Sequence, residues 1–352
     1  MTKSMKSLIV EKDGTLVVKE VPVPVPTPVQ ALVKIEACGI CNGTDTKLIH
    51  RAFKGIGKEQ YPLMLGHEAV GTVVEIGDKV KSYRKGDRVL LPYAGPLGGY
   101  GSGWGAFSEY GTVDDVVALQ ESGVLPDSAD FPPNCYAQNV IDKKIPVNHA
   151  VVIITLREVL ASIRFFGIEH DQSVAVFGCG PVGQTFIKFM HLLGVGPIFA
   201  IDIIDEKLKM AKTCGADYVF NNTDGTLDAM IHEVCPKGVD YVIDASGASA
   251  VINQAMGIIK DRGKICCYGI SENLDMNLDW SRADYNWQLI FQQMPRKVEE
   301  QQAFSQILVW IEKGVVDPEE FISDVYDFDH VLEAFKKLER KEISRKCVVT
   351  FD

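Results

Sequence analysis

The run Gly178-Cys179-Gly180-Pro181-Val182-Gly183 has the spacing G-x-G-x-x-G. In that spacing the first glycine permits a tight turn and the second lets the backbone approach a pyrophosphate. The third allows a helix to pack closely on the preceding strand. A pyrophosphate would rest on the helix N-terminus, beside Pro181 and Val182, where free N–H groups and the helix dipole favour negative charge. The same spacing is met by glycine-rich turns that bind nothing. A second feature separates the two readings: Asp202 ends the next apolar run, about 20 residues on. A carboxylate there accepts hydrogen bonds from the adenosine ribose hydroxyls and repels a 2′-phosphate, which favours NAD over NADP. Lys207 has two open readings, a ribose contact or a solvated helix residue.

Such a turn must follow a strand and open a helix. The short apolar run 174–177 leads into the glycines, and Val182, Phe186, Phe189 and Leu193 then fall at helical spacing, with Gly194 placed as a C-cap. The run 198–201 reads as the next strand. Asp205 could cap a helix carrying Leu208, Ala211 and Cys214, closed by Gly215. Runs 218–220, 241–243 and 264–268 repeat the strand signal with helical segments between them, so a parallel, doubly wound sheet is expected. The first 131 residues have another rhythm. Short apolar runs at 31–35, 71–76 and 88–91 are bounded by Gly, Pro and Asp, as in a mostly β domain. Val and Pro alternate over 21–28, which must be extended and away from a sheet centre. The tail holds two amphipathic helical segments, near 299–313 and 329–340, and a strand-like run at 347–351.

The β-rich part carries a second constellation. Gly66-His67-Glu68 is followed by Gly71, Gly77 and Val80; Cys38-Gly39-Ile40-Cys41-Asn42-Gly43-Thr44-Asp45 lies upstream, and Trp104-Gly105-Ala106-Phe107-Ser108-Glu109-Tyr110 downstream. Together these resemble the zinc-containing branch of the medium-chain dehydrogenase/reductase superfamily, the alcohol, sorbitol and threonine dehydrogenases. The pattern G-H-E-x2-G-x5-G-x2-V is matched in full, and with the glycine turn the resemblance covers nearly the whole chain. It implies a Rossmann domain beside a mostly β, GroES-like catalytic domain. It also implies that Cys41 and His67 are zinc ligands, that Glu68 is the adjacent carboxylate, ligating directly or through water, and that Thr44 is the hydroxyl passing the substrate proton onward. Thiolate, imidazole and carboxylate oxygen are what a catalytic zinc takes, with one position left open.

Some positions depart from the family. The usual C-G-[ST]-D is one residue longer here. Lys47 stands where a relay histidine is expected, and His50 comes three residues later. The slot of a further ligand, Cys or Glu, holds Ile154; Glu158, one helical turn on, is a candidate substitute or a solvated helix residue. The four close cysteines of a structural zinc are absent after Leu91, where residues 95–105 read as a flexible glycine-rich loop. Cys38 with Cys41 could be a redox pair, but Cys38 reads better as a small buried residue.

Composition narrows the partners. The chain has 352 residues, long enough for two domains, and a net charge of −11, which argues against nucleic acid and anionic membranes. Nine scattered cysteines suit reduced thiols in a cytoplasm, and no run near 20 apolar residues suggests a membrane span. The expectation is therefore an NAD-dependent alcohol or polyol dehydrogenase with a catalytic zinc, a small alcohol or carbonyl substrate, and a homodimer or homotetramer. Residues 1–150 and 291–352 would form the catalytic domain and 151–290 the nucleotide domain, with 286–292 as a candidate edge strand. Two other readings remain: a zinc-free NAD(P)H-dependent reductase of the same superfamily, and a catalytically silent nucleotide-binding protein.

Overall fold

A computed structural model describes residues 3–223, 225–271 and 273–352; residues 1 and 2 of the expected first domain lie outside them. In chain order the first strands are β1 (Ser4–Val10), β2 (Leu16–Pro22), β3 (Gln30–Ile40), β4 (Leu63–Met64), β5 (Ala69–Ile76), β6 (Arg88–Leu90), β7 (Gly101–Ser102), β8 (Tyr110–Asp114) and β9 (Val140–Ile141). The helices α1 (Thr44–Ile49), α2 (Val116–Glu121) and α3 (Val147–Phe166) accompany them. Strand and helix then alternate: β10 (Val174–Phe177), α4 (Pro181–Leu192), β11 (Ile198–Asp202), α5 (Asp205–Thr213), β12 (Tyr218–Asn221), α6 (Leu227–Val234), β13 (Val239–Asp244), α7 (Ala250–Ile258), β14 (Ile259–Cys267) and β15 (Gln288–Phe291). The tail is α8 (Lys297–Glu312), β16 (Ile322–Asp327), α9 (Val331–Glu339) and β17 (Lys346–Thr350).

The chain divides into two compact units, Met1–Arg157 with Arg296–Asp352, and Glu158–Pro295. In the first, one sheet runs β2-β1-β4-β7 and another β16-β17-β3-β5-β6-β9, with β8 on β3. Its core gathers Leu8, Ile35, Leu65 and Phe107 with tail residues Phe328, Phe335 and Val349. The Val-Pro segment behaves as its chemistry requires: Val21 and Pro22 close the edge strand β2, opposite Met5 and Ser4. Residues 95–105 are more ordered than a flexible loop. Leu97 and Tyr100 pair, and β7 joins β4 in parallel.

In the second unit all pairings are parallel, in the order β12-β11-β10-β13-β14-β15. Numbered within the unit, this is 3-2-1-4-5-6, the Rossmann order. Between β10 and β13 the connectivity reverses, and both strands point their ends at that switch. β15 stands at the sheet edge.

One local expectation needs correction. Asp205 is the first residue of α5 and not its cap; Ile204 is the N-cap, without a side-chain hydrogen bond. Asp202 supplies the acceptor instead, its Oδ1 taking the N–H groups of Ile203 (2.8 Å) and Ile204 (3.1 Å). The apolar run 151–154 belongs to the 20-residue α3. Residues 150–157 of that helix are buried continuously, so no one-sided period marks it in the sequence.

Candidate functional site

Strand register assembles the first cluster. β3 is the shared neighbour. On one side β5 pairs with it at Cys38↔Ala69, so His67 and Glu68, just before β5, arrive beside residues 39–41. The Gly39 N–H donates to the Glu68 carbonyl at 2.9 Å. On the other side β17 pairs at Cys347↔Ile40 and brings Lys346 alongside. Ligand atoms of Cys41, His67 and Glu68 consequently lie within 4.8 Å of one another, the one such group of His, Cys, Asp and Glu found among the described residues. Glu158 is not part of it.

Two residues that sequence reasoning missed hold this group in place. Asp45 is fully buried. Its Oδ2 accepts the Cys41 N–H at 2.9 Å, and its Oδ1 lies 3.3 Å from His67 Nδ1. A carboxylate behind the imidazole is how a metal-binding histidine is commonly oriented. Asp45 stood in the quoted motif without a role. Lys346 gave no signal, being a single lysine before an apolar run. Its Nζ donates to both Glu68 oxygens, at 2.9 and 2.6 Å, and the two side chains are only 6% and 4% exposed. Thr44 is buried one residue before Asp45, in the first turn of α1. The longer spacing after Cys41 is taken up by a turn at Asn42–Gly43, and the Asp45 N–H still reaches the Cys41 carbonyl at 3.0 Å.

The electrostatics favour a cation. Burial opposes a charged His67, yet the Asp45 carboxylate and the Cys41 sulfur outweigh it and hold the imidazole pKa well above its ordinary value. The Cys41 sulfur and the Asp45 and Glu68 carboxyl groups crowd round the imidazole with Lys346 as the one ammonium among them, and a divalent ion bound there would displace the imidazole proton. Close packing reserves the space: a Cβ on Gly39 would lie 2.6 Å from Glu68 Oε2 and 2.9 Å from Val151 Cγ1. The residues therefore fit a three-donor zinc site. Cys38 is no donor. It is fully buried, and burial drives its thiol pKa well up. Ile154, at the slot of a further ligand, is fully buried as well.

In the second unit, Gly178 follows β10 with φ 91° and Gly180 caps α4. Pro181 and Val182 are half-buried at the start of that helix. A Cβ on Gly183 would lie 1.8 Å from the Gly178 carbonyl oxygen, so helix and strand touch there; at Gly180 nothing stands within 4 Å, and a ligand has room. Asp202 Oδ2 accepts the Cys179 N–H at 2.7 Å, which ties the turn to the end of β11. Burial pushes the Cys179 thiol up to about 12, partly opposed by Lys207, half-buried on α5.

Known proteins match along the same division. The family model for the alcohol dehydrogenase GroES-like domain matches residues 27–125, and that for zinc-binding dehydrogenases residues 181–294. The NADP-dependent isopropanol dehydrogenase of Thermoanaerobacter brockii is 32% identical over 73% of this chain and 74% of its own. The erythritol/L-threitol dehydrogenase of Mycolicibacterium smegmatis is 28% identical over 75% of each. Among solved structures, a short chain alcohol dehydrogenase (rspB) from E. coli CFT073, complexed with NADH, has a TM-score of 0.78 at 23% identity and covers 99% of both chains. At that identity the likeness concerns the fold.

Proposed function

The chain belongs to the zinc-containing medium-chain dehydrogenase/reductase superfamily and is an oxidoreductase of the alcohol dehydrogenase type; from that premise we propose that it transfers hydride between a secondary alcohol, a polyol or sugar derivative, and NAD, with one catalytic zinc. The observation that carries the reading is the convergence of Cys41, His67 and Glu68, with Asp45 behind the imidazole. Asp202 supports NAD, although the isopropanol dehydrogenase relative is named for NADP. The erythritol/L-threitol relative supports a polyol.

In this reading Cys41, His67 and Glu68 hold the zinc. When bound, zinc would supply Lewis acidity at the substrate oxygen and NAD would supply the hydride acceptor. Asp45 orients His67, and the Lys346 Nζ, bonded to both oxygens of the buried Glu68 carboxyl group, holds that group in place. Thr44 passes the hydroxyl proton outward. Gly178, Gly180, Pro181, Val182 and Gly183 bind the pyrophosphate, Asp202 the ribose, and Lys207 flanks it. The edge strand β15, with Phe291 and nearby Trp280 exposed, supports pairing of two chains into a homodimer or homotetramer. Nine cysteines scattered along the chain agree with a cytoplasmic setting. No helix among the described residues is long and apolar enough to cross a membrane.

Two observations favour a second reading, the zinc-free reductase: Lys346 already neutralises Glu68, and Ile154 offers no donor. Metal content by plasma mass spectrometry, on protein purified without chelator, separates the two. About one zinc per chain, lost in Cys41→Ala, is the expected result. Metal-free wild type that reduces enones or quinones would overturn the zinc reading.

A further inference from the structure

The segment from Lys47 to Lys58 differs from the rest of the chain in charge. It holds four of the 36 lysines and arginines (Lys47, Arg51, Lys54 and Lys58) and none of the 47 acidic residues. In a chain of net charge −11 it is a positive island. Such an island draws anions toward whatever stands beside it.

What stands beside it is the Cys41–His67–Glu68 cluster. The segment begins on α1, one turn after Thr44. Leu48 is fully buried, and the Tyr61 hydroxyl donates to its carbonyl at 2.6 Å. Phe53 meets the Trp104 ring edge-on at 5.8 Å, and that indole lies 5.4 Å, centroid to centroid, from the His67 imidazole. Apolar side chains thus fix the segment against the cluster. Of the basic ones, Lys54 and Lys58 are exposed, while Lys47 and Arg51 are half-buried.

Arg51 has φ 56°, a conformation that costs a residue with a long side chain free energy. Its N–H reaches the Leu48 carbonyl at 3.0 Å, and its Nη1 donates to the Lys12 carbonyl at 2.6 Å. Asp13, the acid in electrostatic reach of Arg51, accepts the Thr15 N–H at 2.9 Å. Among the described residues no other hydrogen bond or ion pair engages that guanidinium, and none engages the Lys47 ammonium. Two half-buried cations without a carboxylate between them are costly alone and favourable around an anion.

We propose that the substrate carries an anionic group, as a sugar acid or a polyol phosphate does, and that Lys47 and Arg51 receive that group while one of its hydroxyls stands at the reaction centre. Thr44 and Lys47 are three residues apart on α1, about 5–6 Å between Cβ atoms, a spacing that a short carbon chain bridges. The proposal rests on the reading of Cys41, His67 and Glu68 as the reaction centre.

The test compares kcat/KM, with NAD, for sorbitol, gluconate and sorbitol 6-phosphate, and for xylitol, xylonate and xylitol 5-phosphate. Each set shares a carbon skeleton and differs in charge. In the wild type at least one anion should exceed its neutral partner about tenfold or more, and which one does so separates carboxylate from phosphate. In the double variant Lys47→Gln/Arg51→Asn that ratio should fall about tenfold, chiefly through KM; asparagine suits the positive φ at residue 51. Lys47→Arg should keep the ratio, and added salt should shrink it. A merely structural role would lower both rates together. Anions no better than neutral polyols in the wild type, or a ratio unchanged in the double variant, would overturn the proposal. A raised KM for NAD with an unchanged ratio would assign the two cations to the cofactor and overturn it as well. If the double variant does not fold, Lys47→Gln alone decides. Wild type that oxidises none of these compounds would refute the proposed function instead. Saturation-transfer NMR with gluconate and sorbitol 6-phosphate would then judge the island: transfer to either one, lost in the double variant, supports it, and absent or equal transfer overturns it.

Discussion

The glycine turn of the second unit and the Cys41–His67–Glu68 cluster of the first both prepare a place for charge, by opposite means. The turn is contiguous and uses backbone. Residues 178–183 need the right φ angles, a close helix–strand contact at Gly183, and one carboxylate, Asp202, to pin the Cys179 N–H. The cluster draws on residues 41, 45, 67–68 and 346 and uses buried side-chain charges. Its integrity depends on three strands keeping register, since a one-residue slip of β17 would turn Lys346 to the opposite face. Backbone geometry set by local residue types tolerates change elsewhere. A buried charge set does not, because each member compensates another.

If that contrast is right, Lys346→Met should have the largest effect. It leaves the Glu68 carboxylate buried without its ammonium, at a cost of about 3–5 kcal/mol in denaturant unfolding. Adding Glu68→Gln should recover much of the loss. A single-variant loss below about 1 kcal/mol would mean that the pair is worth no more than a surface bridge. Gly39→Ala forces a Cβ against Glu68 Oε2 and Val151, and should destabilise by roughly 1–3 kcal/mol, with lowered zinc content. Unchanged melting and metal content would show that the cluster is looser than its packing suggests.

On the turn, Asp202→Ser should lower the NAD-to-NADP ratio of kcat/KM by about ten- to a hundredfold, from loss of charged hydrogen bonds to the ribose. An unaltered ratio would remove Asp202 from cofactor choice. Gly180→Ala meets open space and should leave stability unchanged while weakening NADH binding about tenfold, as measured by calorimetry. Loss of stability with intact binding would reverse the contrast.

The smallest effect belongs to an exposed pair outside both regions. A hydrogen bond from His330 holds the Asp327 carboxylate below its usual range, and the same bond raises the His330 pKa. The lowered acid contributes stability above its unfolded pKa and loses it as pH falls through the folded one. The raised base contributes below its unfolded pKa and loses it as pH rises through the folded one. Asp327→Asn should therefore return the His330 NMR titration toward the ordinary histidine range and scarcely move the melting temperature. A large drop in melting would show that exposed pairs matter here as much as buried ones.

Much of the second unit was legible because its signals are local. Apolar runs near four residues long, glycines at fixed offsets and an acid after the next strand follow from backbone sterics, and β10 to β14 lie where those runs stand. The Gly66-His67-Glu68 pattern was equally legible as a string of residues. The 20-residue extent of α3 was not, because a helix buried over most of its length shows no amphipathic period. Neither were the supports of the cluster. Asp45 acts through a bond back to Cys41 and a facing contact with His67, and Lys346 reaches Glu68 across 278 positions of sequence. By itself the sequence determined which segments become strands and helices and which residue types could bind phosphate or metal, since those depend on neighbours along the chain. The tertiary structure alone decided that Lys346 neutralises Glu68, that Asp45 backs His67 and that Trp104 stands against it. Strand register and packing set those contacts, and no short stretch of residues encodes them.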